Sequence, residues 1–120
     1  MDENFKPDEE LYRAVYPIEI QPMFWKENGS ISSAAFYDPK GLSVSRAGNR
    51  KVNDILNTMQ RCFVGHIVSF TYSQCKQIKA VVKYLPRHNK YHCEVHGSVE
   101  NKLLSDLQRK ILARSVKILT

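Results

Sequence analysis

Residues 78–96 read IKAVVKYLPRHNKYHCEVH, and this stretch decides the fold. Ile78, Ala80, Val82 and Tyr84 alternate with Lys79, Val81 and Lys83, the two-residue period of a strand running over Ile78–Leu85. Pro86–Lys90 interrupts the pattern with a proline and a basic, polar run, which makes it a turn. Tyr91, Cys93 and Val95 then alternate with His92, Glu94 and His96. Two alternating runs about a short turn predict an antiparallel hairpin with one apolar face.

On the N-terminal side, Ile67–Tyr72 alternates in the same way, with residues 62–66 continuing it through a bulge at Gly65 and Ser73–Lys76 turning the chain. Residues 51–61 break the strand period: Val52, Ile55, Leu56 and Met59 recur at helical spacing, and Asn49 is placed to cap the helix. Further back, Leu11–Tyr16, Ile31–Tyr37 and Leu42–Ser45 read as strands, separated by turns at Asn28-Gly29 and Asp38–Gly41. Between Pro17 and Pro22 the chain is extended, and Met23, Phe24 and Trp25 form a hydrophobic plug.

On the C-terminal side, Asn101 caps a second helix over 102–114, with Leu103, Leu104, Leu107 and Ile111 facing inward, and Val116 and Ile118 form a short last strand. The expected class is α+β: a mostly antiparallel sheet of about five to seven strands with two helices. Residues 1–10 read as an acidic flexible arm and 11–120 as a single domain. A domain of 120 residues buries roughly two-thirds of its unfolded surface, enough to fold without staples.

Charge is distributed unevenly. The first ten residues set Asp2, Glu3, Asp8, Glu9 and Glu10 against Lys6, whereas residues 11–120 carry 17 lysines and arginines against 7 acidic residues. A body this basic attracts phosphates, so nucleic acid or a nucleotide is the expected partner. The three cysteines, Cys62, Cys75 and Cys93, form no C-x-x-C pair, which argues against a disulfide framework and a structural zinc site. Free thiols and an acidic N-terminus imply a cytoplasmic protein, and no apolar run is long enough to span a membrane.

Four segments could carry chemistry. In Tyr91–Gly97, His92, Glu94 and His96 share one strand face; acid/base work, metal binding and a solvated polar face are the competing readings. Same-face neighbours on a strand stand ~6.5–7 Å apart, too far for three in a row to chelate one ion unaided, so no metal is expected. Ser32, Ser33, Ser43 and Ser45 offer hydroxyls beside the small Ala34 and Ala35, without a G-x-S-x-G elbow. The loop Arg46-Ala47-Gly48-Asn49-Arg50-Lys51 runs basic into a helix N-terminus, where backbone N–H groups favour anions. Arg13 lies mid-strand, where it must reach solvent or find an anion. Lysines, arginines and aromatics interleave over residues 76–91, including Lys83, Tyr84, Arg87 and Tyr91, as on a surface that tracks a nucleic-acid backbone.

Leu11-Tyr12-Arg13, Ser32–Phe36, Leu42-Ser43-Val44 and Tyr91-His92 with Gly97 resemble a family of small stand-alone bacterial proteins with a YR…SSAAF…LSV…H-x-x-V-x-G-like pattern; Cys93 replaces the small residue usual after the histidine. That likeness implies an intact domain spanning about residues 11–115 and no particular activity. The order Arg13, Ser33, Glu94 is also remotely similar to the ADP-ribosyltransferase-like fold, although His92-x-Glu94 stands where a Glu/Gln-x-Glu is usual. That similarity implies a nucleotide cleft.

The leading expectation is therefore a phosphate-rich ligand, with nucleic acid first, held by Arg13, Arg46, Arg50, Lys51, Lys83 and Arg87, with no cofactor. An enzyme of nucleotide or RNA chemistry, with Arg13, Ser33, His92 and Glu94 in one cleft, is the alternative. A protein-interaction or immunity partner, using the acidic arm and an apolar patch near Phe24 and Trp25, is a third.

Overall fold

The structure is a computed structural model that describes residues 4–120. Six strands form one antiparallel sheet: β1 (Glu10–Val15), β2 (Leu42–Arg46), β3 (His66–Thr71), β4 (Val81–Tyr84), β5 (His92–His96) and β6 (Lys117–Ile118). Their order is β4-β5-β2-β1-β3-β6. The helices are α1 (Val52–Cys62), α2 (Tyr72–Gln77) and α3 (Asp106–Ser115), with two short 3-10 helices at Pro22–Phe24 and Ser33–Phe36. This is the α+β class that the alternating runs predict.

The two sheet faces are covered differently. On one face Leu11, Val15, Leu42, Val44, Val68, Phe70, Cys93 and Val95 belong to a large buried cluster with Phe36, Cys75, Leu104 and Leu112, contributed by the Ser33–Phe36 helix, α2, the 98–105 loop and α3. On the other face α1 sets Ile55 and Met59 against Tyr12 and Ile67. The buried contacts of that helix fall on β1 and β3. Ser43 and Ser45 on β2 and His92 on β5 share a recess with Thr58, Met59 and Cys62 of α1, while Glu94 on β5 and Lys83 on β4 face each other farther along the sheet.

Several local expectations are corrected. The Ile31–Tyr37 segment is not a strand: Ile31 makes a single bridge to Trp25, and the Ser32 hydroxyl then accepts from the Ala34 N–H and starts the 3-10 turn. Ser73–Lys76 is not a turn but lies in α2, because Thr71 and Gln74 form a reciprocal capping box. The strand over Ile78–Leu85 shortens to β4, since Lys79 takes a positive φ of 61°. Asn49 does not cap α1; it too has a positive φ, 65°, and Lys51 occupies the cap position with no side-chain bond. The second helix starts at Asp106, where Ser105 and Gln108 form another capping box, and not after Asn101. That shift of register exposes Leu107 and buries Gln108, whose amide donates to the carbonyls of Ile78 and Gly97.

The acidic arm is also tied down. Phe5 stacks on Tyr72 at 4.9 Å, and the Glu9 carboxylate grips Arg46, so residues 4–9 pack against the domain. Asp2 and Glu3, on which part of the arm's acidity rests, lie outside the described residues. Phe24 and Trp25 are half-buried against the main core, with the Trp25 indole N–H donating to the Tyr16 carbonyl, while Tyr16, Ile18, Ile20 and Met23 nearby stay exposed. No helix among the described residues is long and apolar enough to cross a membrane.

Candidate functional site

The site begins where two strands part. β1 pairs with β3 along its whole length, from Glu10↔Thr71 to Val15↔His66. With β2 it pairs only at Leu11↔Arg46 and Tyr12↔Ser45. Beyond that point the Arg13 guanidinium replaces the missing ladder: Nη1 donates to the Ser43 carbonyl at 3.0 Å and Nε to the Ala35 carbonyl at 3.3 Å. Under α1 this parting leaves a cavity of about 210 Å³, with Arg13, Tyr12, Ala14, Ser43, Met59 and His92 among its lining.

Arg50 lines the same cavity. Its Nε donates to the Ala47 carbonyl, and its Nη2 to the Ser45 hydroxyl and the Arg46 carbonyl; the guanidinium lies 3.5 Å from the centre of the Tyr91 ring. Neither Arg13 nor Arg50 has a carboxylate partner among the described residues. Burial pushes both guanidinium pKa values down; Asp38 opposes part of this at Arg13, and Tyr91 and Tyr12 at Arg50. Two cations are thus pinned by backbone oxygens, with their positive charge uncompensated by an ion pair.

Arg46 is different, and the sequence-based expectation that it binds phosphate is corrected here. It is 3% exposed. Its Nε and Nη2 each meet a Glu9 carboxylate oxygen at 2.8 Å, and its guanidinium carbon sits 4.0 Å from the centre of the Phe5 ring and 4.9 Å from that of Tyr84. Its charge is spent inside the fold, on a residue 37 positions away.

On β5 the alternation holds: Cys93 and Val95 are fully buried, while His92, Glu94 and His96 share the other face. Glu94 lies between the two imidazoles, with Oε1 2.9 Å from His96 Nε2 and Oε2 3.7 Å from His92 Nε2. Burial raises the Glu94 pKa, but the hydrogen bond and charge of His96, and then His92, outweigh it and hold the group below its usual value. An ionised carboxylate can only accept, so His96 Nε2 carries the proton in that contact. Gly41 closes over the pair: a Cβ there would come within 2.7 Å of Glu94 Oε1 and 2.8 Å of His96 Nε2. Unlike its neighbours on this face, His96 is thus buried, at 6% exposure. No group of three His, Cys, Asp or Glu among the described residues is arranged to hold a metal ion.

A second depression, about 430 Å³, is lined by Lys40, Leu85, Arg87, His88, Asn89, His92, Glu94 and Lys102. His92 and Asn89 line both recesses, so the two adjoin. Around the two recesses stand Arg13, Lys40, Arg50, Arg87 and Lys102, and Glu94 is the only carboxylate in either lining. Lys83 lies directly across the ladder from Glu94 on the same face, and Lys51 is exposed at the start of α1. Ser33 is not brought to this place; it lines a separate depression with Lys26, Lys110 and Arg114. Arg13 and His92 therefore share one recess, His92 and Glu94 the next, and Ser33 neither.

Sequence reasoning missed Lys40, Lys102 and Asn89. Lys40 is in the turn before β2, and the Leu42↔Val95 register carries that turn to the end of β5, beside the loop that holds Lys102. No spacing along the chain encodes that meeting. Asn89 was within reach of inspection as the apex of the basic turn, where its side chain accepts from the Tyr91 N–H. Comparison of the chain with protein-family models, curated proteins and solved structures returns no match.

Proposed function

We propose that this protein is a binding module for a phosphate-rich ligand, nucleic acid first, held along the two adjoining recesses. One observation carries the reading: five cations line two neighbouring recesses whose one lining carboxylate, Glu94, is already engaged by His96. Like charges held together raise the local positive potential, and a polyanion relieves their repulsion while releasing its own counterions. Arg13 and Arg50 are fixed in place before any ligand arrives, which lowers the ordering cost of binding. A nucleotide-processing enzyme would need Arg13, Ser33, His92 and Glu94 at one ligand; Ser33 lines a separate depression, so binding without turnover is the better supported reading.

Fluorescence anisotropy with labelled RNA and DNA oligonucleotides tests it. Five phosphate contacts to a single strand predict a slope of about −3.5 in log affinity against log salt, roughly a hundredfold loss between about 50 and 200 mM. Absence of binding at low salt, or binding indifferent to salt, overturns the proposal.

A further inference from the structure

We infer that the cavity between β1, β2 and α1 is a subsite for one nucleotide with an unpaired base, the base entering the cavity and its phosphate lying toward Arg50 and Arg13. This rests on the phosphate-binding reading and specifies the unit recognised. The cavity has two kinds of wall. Tyr12, Ala14, Val44, Met59 and Phe63 supply apolar surface, and Ala14 keeps the space open by carrying only a methyl group. Ser43, Ser45, Thr58 and Asn89 supply donors and acceptors suited to a base edge or a ribose hydroxyl.

The charge sits where a phosphate would follow. Arg50 spends Nε and Nη2 on internal oxygens and keeps Nη1; Arg13 spends Nε and Nη1 and keeps Nη2. Each arginine is thus anchored through two of its three nitrogens, with a third left to donate. A volume of about 210 Å³ is the scale of one base and not of a stacked pair. Bases in a duplex are stacked and paired, so only a free mononucleotide or an unpaired residue of a strand can present its base to such a pocket. His92 and Asn89 border both the cavity and the depression bearing Lys40, Arg87 and Lys102, so neighbouring phosphates of a strand would find cations there.

The test compares a labelled single strand with its own duplex at low salt, and titrates the four nucleoside 5′-monophosphates separately by calorimetry. Thr58 and Ser43 are exposed at the cavity rim, so Thr58→Trp and Ser43→Phe close the cavity without disturbing the core; thermal unfolding verifies that each is folded. The expected result is preference for the single strand, and about a tenfold or greater loss of its affinity in both variants, the scale of one stacked base, with duplex binding unchanged. Saturable binding of a monophosphate that Thr58→Trp abolishes identifies the free nucleotide as the ligand; binding of oligonucleotides alone identifies a strand. Equal affinity for strand and duplex, unaltered in both variants and with no monophosphate bound, overturns the subsite and leaves the phosphate-binding reading standing. No binding of any polyanion or nucleotide ends both.

Discussion

Glu9 holds Arg46 through two parallel contacts, Oε2 to Nε and Oε1 to Nη2, each at 2.8 Å, inside a sandwich of Phe5 and Tyr84. Glu9 lies just before β1, and Arg46 ends β2, so the pair locks the N-terminal segment across the sheet. Its side chains are 11% and 3% exposed. Removing one partner leaves the other charge buried, so Glu9→Ala is expected to lower unfolding free energy by about 3–5 kcal/mol in urea titrations. A loss below about 1 kcal/mol would place the pair with ordinary surface ion pairs.

The same pair sets an acid response. Burial raises the Glu9 pKa, but the bond from Arg46, the Gly48 N–H and the Arg46 charge outweigh it, so the folded value lies below the usual carboxylate range. Glu94 is lowered in the same net direction. A carboxylate whose folded pKa is depressed stabilises above its unfolded value and loses that contribution as pH falls through the folded one. Stability is therefore expected to decline from about pH 4.5 downward, and Glu9→Gln should flatten that decline. An unchanged acid profile in the variant contradicts this assignment.

Binding should be sensitive to cations of the recess and insensitive to cations elsewhere. Arg87→Ala and Lys102→Ala are each expected to weaken nucleic-acid binding and to reduce the magnitude of the salt slope by about 1. Lys117, which pairs with Glu10 away from the recess, serves as the control, and Lys117→Ala should leave the slope as it was. The reverse ranking moves the ligand off this face.

Gln108 is expected to be a stability residue of unusual weight for a polar side chain. Its Oε1 accepts from the Ser105 N–H, and its Nε2 donates to the Ile78 and Gly97 carbonyls at 3.0 and 2.9 Å, joining α3 to the chain segments flanking β4 and β5. Gln108→Ala strands these groups without partners and should cost about 2–3 kcal/mol in chemical denaturation. Leu107→Ala, one position earlier and exposed, should cost under about 0.5 kcal/mol.

The three thiols should separate cleanly. Burial pushes Cys75 and Cys93 up to about 12, so neither supplies thiolate near neutral pH, whereas Cys62 is exposed at the end of α1. A thiol reagent at about pH 8 is expected to modify one cysteine promptly in the folded protein and the other two only after denaturant is added. Prompt modification of all three would show that the core opens readily.

The sequence alone determined the elements whose signal is local. The 3.6-residue spacing of Val52, Ile55, Leu56 and Met59 suffices for α1, and the two-residue alternation of β5 already separates Cys93 and Val95 from His92, Glu94 and His96, because side-chain direction there follows from backbone geometry. Only the tertiary structure decided which cations remain available. Arg13, Arg46 and Arg50 look alike along the chain, yet Arg46 is consumed by Glu9, Arg13 bridges the Ser43 and Ala35 carbonyls where β1 and β2 part, and Arg50 is pinned beside Tyr91. Lys40 and Lys102 joined them through strand register. A guanidinium's fate depends on which acceptor comes within about 3 Å of it, and that distance is set by the folding of segments far apart in sequence, which no local pattern encodes.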